Sequence, residues 1–390
     1  MSERTGPGLD PNRRAALNAA KLAALVAGRW GAGARERHAL GSAAALLSPP
    51  TPPPADRAGQ RAGRPAGRSA WVLADAAPDR ALGPALVWAD RHQVDDLHVI
   101  ADVDARGGGP AGSGGVGGAS GASGDDPAAG AIGTLARQAG LFAPPQPTVW
   151  RVDGTALVAV DAAPVPAPLE PPAPPELVDL LIDAGLEIVV EGGMMRGEIN
   201  GLEVARIVEG QTTAGVPIEA PQLEVGVGKA DRELTATVHG DLPPVDQLGR
   251  VVEIVREHRR PGAPRHPLNQ LVPDRWLRAV LCRAPALVGL ASLRPAEGTR
   301  PRPNLSERDV AIAAGSDRDG VPVVVACSVG IALDLVPTAA DAREAIDRAA
   351  RLLLAVPERD DHPTIRRLAE RLRSPAEVAI IPGDWRAAAA

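Results

Sequence analysis

The chain has 390 residues, 45% of them apolar, and a formal net charge of −6. That is length for two or three domains with real cores, and the wrong sign for a dedicated nucleic-acid binder. No run approaches the ~18 uninterrupted apolar residues of a membrane span. Cys282 and Cys327 have no CxxC partner or neighbouring histidine, so no zinc ligand set is legible.

Tyr is absent, Phe occurs once, and Lys21 and Lys229 are the two lysines. This is the profile of a GC-rich bacterial genome, and it makes an arginine excess weak evidence for nucleic acid. The six Trp are scattered from Trp30 to Trp385 and suggest no stacking platform for single strands. In ALNAAKLAALVAG the apolar turns are broken by Lys21 and followed by Arg35, Glu36, Arg37 and His38 without a cleavage pattern, unlike a signal peptide. A cytoplasmic location with no membrane partner is the expectation.

In chain order, residues 1–47 form an Ala-rich N-terminus read as helical over 11–47, and 48–69 is a Pro/Gly-rich linker. A small α/β domain spans 70–160. Its strands are AWVLA (70–74), DLHVIAD (96–102) and TVWRV (148–152), with helices ALGPALVWADRH (81–92) and IGTLARQAGLF (132–142) between them. That alternation predicts a parallel sheet with covering helices, and TALVAV (155–160) adds an antiparallel edge. A Gly/Ser/Ala tract, 105–131, interrupts the domain and reads as a disordered insertion. Asp75, Asp102 and Asp104 fall at the carboxyl ends of strands, where open sheets bind ligands, and helix capping is their simpler role.

A Pro-rich linker, 161–176, precedes a larger mixed-sheet α/β domain, 177–385. LVDLLIDAG is its first helix, LEIVVE, MMRGEI and LEVARIV are strands, and QLEVGVG (222–228) is a fourth. Helices follow at 245–258 and 273–283. VPVVVACSVG and IALDLV (321–336) read as strands, TAADAREAIDRAARLLLAV as a helix opened by the Thr338 to Asp341 spacing, TIRRLAERL as a shorter helix and EVAII as a last strand.

Asn200-Gly201 in RGEINGLEVAR is a strong type I′ hairpin signal. It sets Glu198 opposite Glu203, with Arg196, Glu198, Glu203 and Ala205 on one face and Met195, Gly197, Ile199, Leu202, Val204 and Arg206 on the other. Like charges across a strand pair are unfavourable. Either Arg196 or water bridges the two carboxylates on a solvated face, or Glu198 and Glu203 hold a hard cation, Mg²⁺ or Mn²⁺.

A helix, three closely spaced strands with acidic residues, another strand and a helix over 177–258 resembles the core of restriction-endonuclease-like nucleases, the PD-(D/E)xK group. The resemblance implies that Glu198 or Glu203 matches the group's first acid and Glu224 its second, with carboxylates on a metal and a lysine orienting the attacking water. Gly226 stands at the lysine's place and Lys229 lies five positions beyond Glu224. A bulge at Gly226 or Gly228 would return it to the right face.

RHPLNQLVPDRWLR (265–278) gathers Arg265, Arg275 and Arg278 at a helix start, a phosphate-binding arrangement or a solvated helix entry anchored by Trp276 and Leu277. Ser328 lacks the glycine spacing of a nucleophile turn and reads as a buried strand end. The leading expectation is a non-catalytic binding or interaction protein with a degenerate nuclease-like domain. The alternative is a divalent-metal phosphodiesterase acting on DNA or RNA through Glu198, Glu203, Glu224 and Lys229. Nucleic acid stays open as a partner, without support from net charge.

Overall fold

The computed structural model describes residues 11–40, 43–50, 67–74, 78–102, 127–211, 217–239, 242–300, 304–305, 307 and 309–387. The expected linker 48–69 and insertion 105–131 lie largely outside them, as do Asp75 and Asp104. The fold is α/β. Contacts divide it into two units, one of 11–102 and 127–164 with Arg371–Ser374, the other of Val165–Glu370 and the residues from Pro375.

In the first unit, helix α1 (Pro11–Trp30) lays Leu22, Leu25 and Val26 on a six-stranded sheet. The sheet runs β1 (Glu36–Leu40), β2 (Ala43–Leu47), β3 (Ser69–Ala74), β4 (Asp96–Ala101), β5 (Thr148–Asp153), β6 (Ala156–Ala159). The neighbours β3, β4 and β5 are parallel and the outer pairings antiparallel, so the expected parallel sheet is the centre of a mixed one. Helices α2 (Leu82–Arg91) and α3 (Pro127–Ala139) are the two crossovers.

Glu36–Leu40 and Ala43–Leu47 correct the helical reading of the N-terminus, since they are antiparallel strands that extend the sheet. AAALL has alanine's helix propensity, but its last four residues are all buried, and pairing with β3 outweighs a weak local preference.

The second unit holds two sheets. After helix α4 (Pro175–Asp183), strands β7 (Glu187–Glu191), β8 (Met194–Ile199), β9 (Leu202–Gln211) and β10 (Pro217–Val225) form an antiparallel meander. One face of it buries Ile199, Leu202, Val204 and Ala205 with Leu181 of α4 and Leu248, Val252 and Val255 of α6 (Pro244–His258). Between β10 and α6 lies α5 (Gly228–His239), where the sequence reading extends the strand to 228. Gly226, at φ +137°, ends the strand.

The second sheet runs β11 (Leu290–Pro295), β12 (Ala311–Asp317), β13 (Pro322–Cys327), β14 (Arg351–Pro357), β15 (Glu377–Ile381), parallel from β13 onward. Helix α7 (Pro273–Arg283) packs Trp276, Leu277, Val280 and Leu281 on it. IALDLV is not a strand; it spans a loop and the start of α8 (Leu335–Ile346), so Thr338 lies inside the helix and Asp334 is its N-cap. RLLLAV is β14, not the end of that helix. A run apolar on every side suits a strand buried on both faces as well as a helix. Helix α9 (Pro363–Glu370) precedes β15. No helix among the described residues is long and apolar enough to cross a membrane.

Candidate functional site

The hairpin forms around the expected turn. Asn200 and Gly201 take φ of +49° and +75°, and Glu198 pairs with Glu203 and Ile199 with Leu202. Gly201 answers a second demand, because a Cβ there would stand 2.3 Å from the Arg275 carbonyl carbon. The hairpin tip rests against the first turn of α7, and a backbone contact that close requires glycine.

The register then shifts, Gly197 pairing with Ala205 and Arg196 with Arg206. This bulge corrects the expected faces. With one extra residue on β9, Ala205 turns into the apolar core. Arg206 joins Arg196, Glu198 and Glu203 on the other face, because directly paired residues share a side.

That second face is ionic, buried around Glu198 and Glu203 and open to solvent at Glu224. Glu203 accepts from Arg196 Nε at 2.8 Å and from Arg232 Nη1 of α5 at 3.1 Å. Arg232 Nε lies 3.4 Å from Glu224 Oε2, to which Arg206 Nε donates at 2.8 Å. On the other flank Arg278 Nη2 of α7 donates to Glu198 at 3.0 Å, and its Nη1 donates to Glu191. Glu198 and Arg278 are each 1% exposed. Glu191, Glu198, Glu203 and Glu224 thus interleave with Arg196, Arg206, Arg232 and Arg278, and Glu187, opposite Glu198, adds a pair with Arg283 of α7. Their formal charge sums to zero.

Of the nuclease-like set, Glu198, Glu203 and Glu224 share this face, while Lys229 stands in the first turn of α5, half exposed and 3.8 Å from Glu233. The strand ends before Lys229, so no bulge restores a strand position for it. A divalent cation needs carboxylate oxygens facing a common point. Here Glu198 Oε2, both Glu203 oxygens and Glu224 Oε2 are engaged by guanidiniums. Among the described residues no group of three or more His, Cys, Asp or Glu could hold a metal ion.

Arg265, Arg275 and Arg278 are not brought together as a phosphate site. Arg265 is exposed, Arg275 is 2% exposed and 3.5 Å from Asp309, and Arg278 belongs to the ionic face. The helix entry is not solvated, because α7 is covered on both sides. Its apolar stripe meets the second sheet, and on the other side Arg278 and Arg283 pair with glutamates of the meander.

Other contributors escaped the sequence reading. Arg259, just past α6, donates to the carbonyls of Ile199, Asn200, Leu268, Leu271 and Val272, and Asn200 Nδ2 returns a bond to its carbonyl at 2.7 Å. It ties the hairpin tip to the approach of α7. Burial lowers its pKa to about 9, which leaves it charged at neutral pH. Asp274, 1% exposed, accepts from the Val329 N–H at 2.6 Å and the Asp309 N–H at 3.3 Å, and burial pushes it up to about 6 against those bonds. Arg232 has a signal in retrospect: a helix read from Gly228 brings a cation back over Glu224.

The other candidates are simpler. Asp102 Oδ2 pairs with Lys21 Nζ at 2.6 Å, and the residues that follow it lie outside the described ones. Ser328 is fully buried just beyond β13, its Oγ without a hydrogen-bond partner among the described residues. Cys282 and Cys327 are free thiols, and burial pushes Cys282 up to about 12 and Cys327 in the same direction. That makes both poor nucleophiles. Compared with known proteins, the chain matches no family model, no curated sequence and no solved structure.

Proposed function

We propose that the chain is a non-catalytic binding or interaction protein whose larger unit keeps the carboxylates of a nuclease-like face but commits them to arginine. The observation that carries this reading is the charge-balanced ladder of Glu191, Glu198, Glu203 and Glu224 with Arg196, Arg206, Arg232 and Arg278. A catalytic metal would have to displace guanidiniums from oxygens that they desolvate with good geometry, and its own two charges would then face four cations. For a partner surface, Leu234 and Val238 lie one turn apart on α5, 59% and 60% exposed, the spacing of a helical contact stripe.

A second reading, a Mg²⁺- or Mn²⁺-dependent phosphodiesterase on DNA or RNA, is favoured by one observation: Glu198, Glu203 and Glu224 share a face of the meander. Calorimetric titration of wild type and Glu203→Gln with each cation, followed by incubation with plasmid DNA and single-stranded RNA, separates the two. The binding-protein reading expects no saturable metal heat and no cleavage. Metal heat lost in Glu203→Gln, together with cleavage by wild type, would replace it with the enzyme.

A further inference from the structure

In the first unit, three of the chain's six Trp surround one histidine. Side chains alternate along a strand, so Trp71 of β3, His98 of β4 and Trp150 of β5 point to the face covered by α1, where Trp30 closes over them. The His98 ring centroid lies 5.6 Å from Trp71, stacked, 4.8 Å from Trp30 and 6.1 Å from Trp150. Trp150 Nε1 donates to His98 Nδ1 at 3.2 Å, and His98 Nε2 lies 3.0 Å from Asp96 Oδ2. An indole N–H can only donate. His98 Nδ1 is therefore an acceptor without a proton, and Nε2 carries the hydrogen towards Asp96.

Both ring nitrogens are used by the neutral imidazole, and only by that tautomer. A second proton, on Nδ1, would turn the acceptor into a donor facing another donor. The bond to Trp150 would be lost, and an imidazole 7% exposed would hold an N–H facing the indole N–H of Trp150. Charged groups act on it from every side. Asp96, on its own strand, favours the proton. Arg29 of α1, over the Trp150 ring at 4.0 Å, and Arg35, over the Trp71 ring at 4.9 Å, oppose it. The hydrogen bond to His98 holds Asp96 below the usual carboxylate range, so the acid is ionised at neutral pH.

We propose that Trp150, His98 and Asp96 form a proton-sensitive latch on the end of α1. Neutral His98 ties Trp150 into the cage that seats Trp30. A proton on Nδ1 releases the Trp150 indole and loosens Trp30, and with it the last turn of α1, from the sheet. This device is independent of the ionic face in the other unit.

The test follows imidazole nitrogens and indole N–H resonances of the ¹⁵N-labelled full chain from about pH 8 to about pH 5, the range in which histidine switches charge. Trp150→Phe identifies the indole signal. In wild type, the His98 nitrogens and the Trp150 indole should shift in one shared step, with indole N–H exchange faster by roughly ten-fold, about the worth of one hydrogen bond. In His98→Gln, an amide that can accept from Trp150 and donate to Asp96 at every pH, the step should vanish. The proposal is overturned if His98 stays neutral to the bottom of the range, or if it takes the proton while the Trp150 indole does not move. Both readings come from wild type and do not depend on His98→Gln folding.

Discussion

The two faces of the β7–β10 meander share one backbone and are held by opposite means. The apolar face, Ile199, Leu202, Val204 and Ala205 against α4 and α6, gains in proportion to the area it removes from water and tolerates imperfect fit. The ionic face, against α5 and α7, gains little as a whole, because desolvating its charges cancels most of their attraction. Yet it fails steeply if one member is lost. The bulge after Glu203 serves both, moving Ala205 into the core and Arg206 out to Glu224. Area holds the sheet to its helices, and charge matching fixes which helix lies where.

The hardest way to break that contrast is Arg278→Ala. It deprives Glu198, 1% exposed, of its guanidinium in the interior, and the expected loss is about 3–5 kcal/mol. On the opposite face Leu202→Ala, at a site 0% exposed, should cost about 3 kcal/mol from transfer and cavity terms. Urea denaturation of both variants checks the order. An Arg278→Ala loss below 1 kcal/mol would mean that the ionic face is solvated in solution.

How much of this the sequence carries depends on the range of the interaction. The hairpin at Asn200 and Gly201 is legible because the turn's backbone demand is local, and so are α6 and α7, whose apolar residues repeat at helical spacing. The strands at 36–47 are illegible, because AAALL becomes a strand only when β3 is beside it. The bulge has no local marker, so Ala205 and Arg206 are assigned to the wrong faces by strict alternation. The ionic face is half legible. Glu198 and Glu203 stand out in RGEINGLEVAR, whereas Arg232 and Arg278 lie 29 and 80 positions from the glutamates they meet, and the sequence offers them as surface cations.

The contrast sharpens with pH at Asp274, where a charge is buried without a cation hydrogen-bonded to it among the bonds it accepts from Val329 and Asp309. Its folded pKa is about 6 against an ordinary 3.8. Between those values the folded chain keeps a proton that the unfolded chain has released, so stability falls as pH rises from about 4 to about 6, and the cost is complete above that. Two units correspond to about 3 kcal/mol. The Tm of wild type should show this downward contribution with rising pH. Asp274→Asn, which cannot ionise, should lose it. A slope equal in both proteins would place the titration elsewhere.

The smallest effect belongs to the rim of the ionic face. Arg206 and Glu224 are 22% and 40% exposed, and Arg232 already lies 3.4 Å from the same Glu224 oxygen. In Arg206→Ala, water reaches the carboxylate from outside while Arg232 stays on its inner side, so no charge is left buried and alone. The expected change is under about 1 kcal/mol. Salt should shrink it further, since exposed charges are screened and interior ones are not, whereas the Arg278→Ala loss should hardly depend on salt. If Arg206→Ala instead costs as much as Arg278→Ala and ignores salt, the charges of this face act as one indivisible unit. The steepness argued for the interior would then extend to the surface.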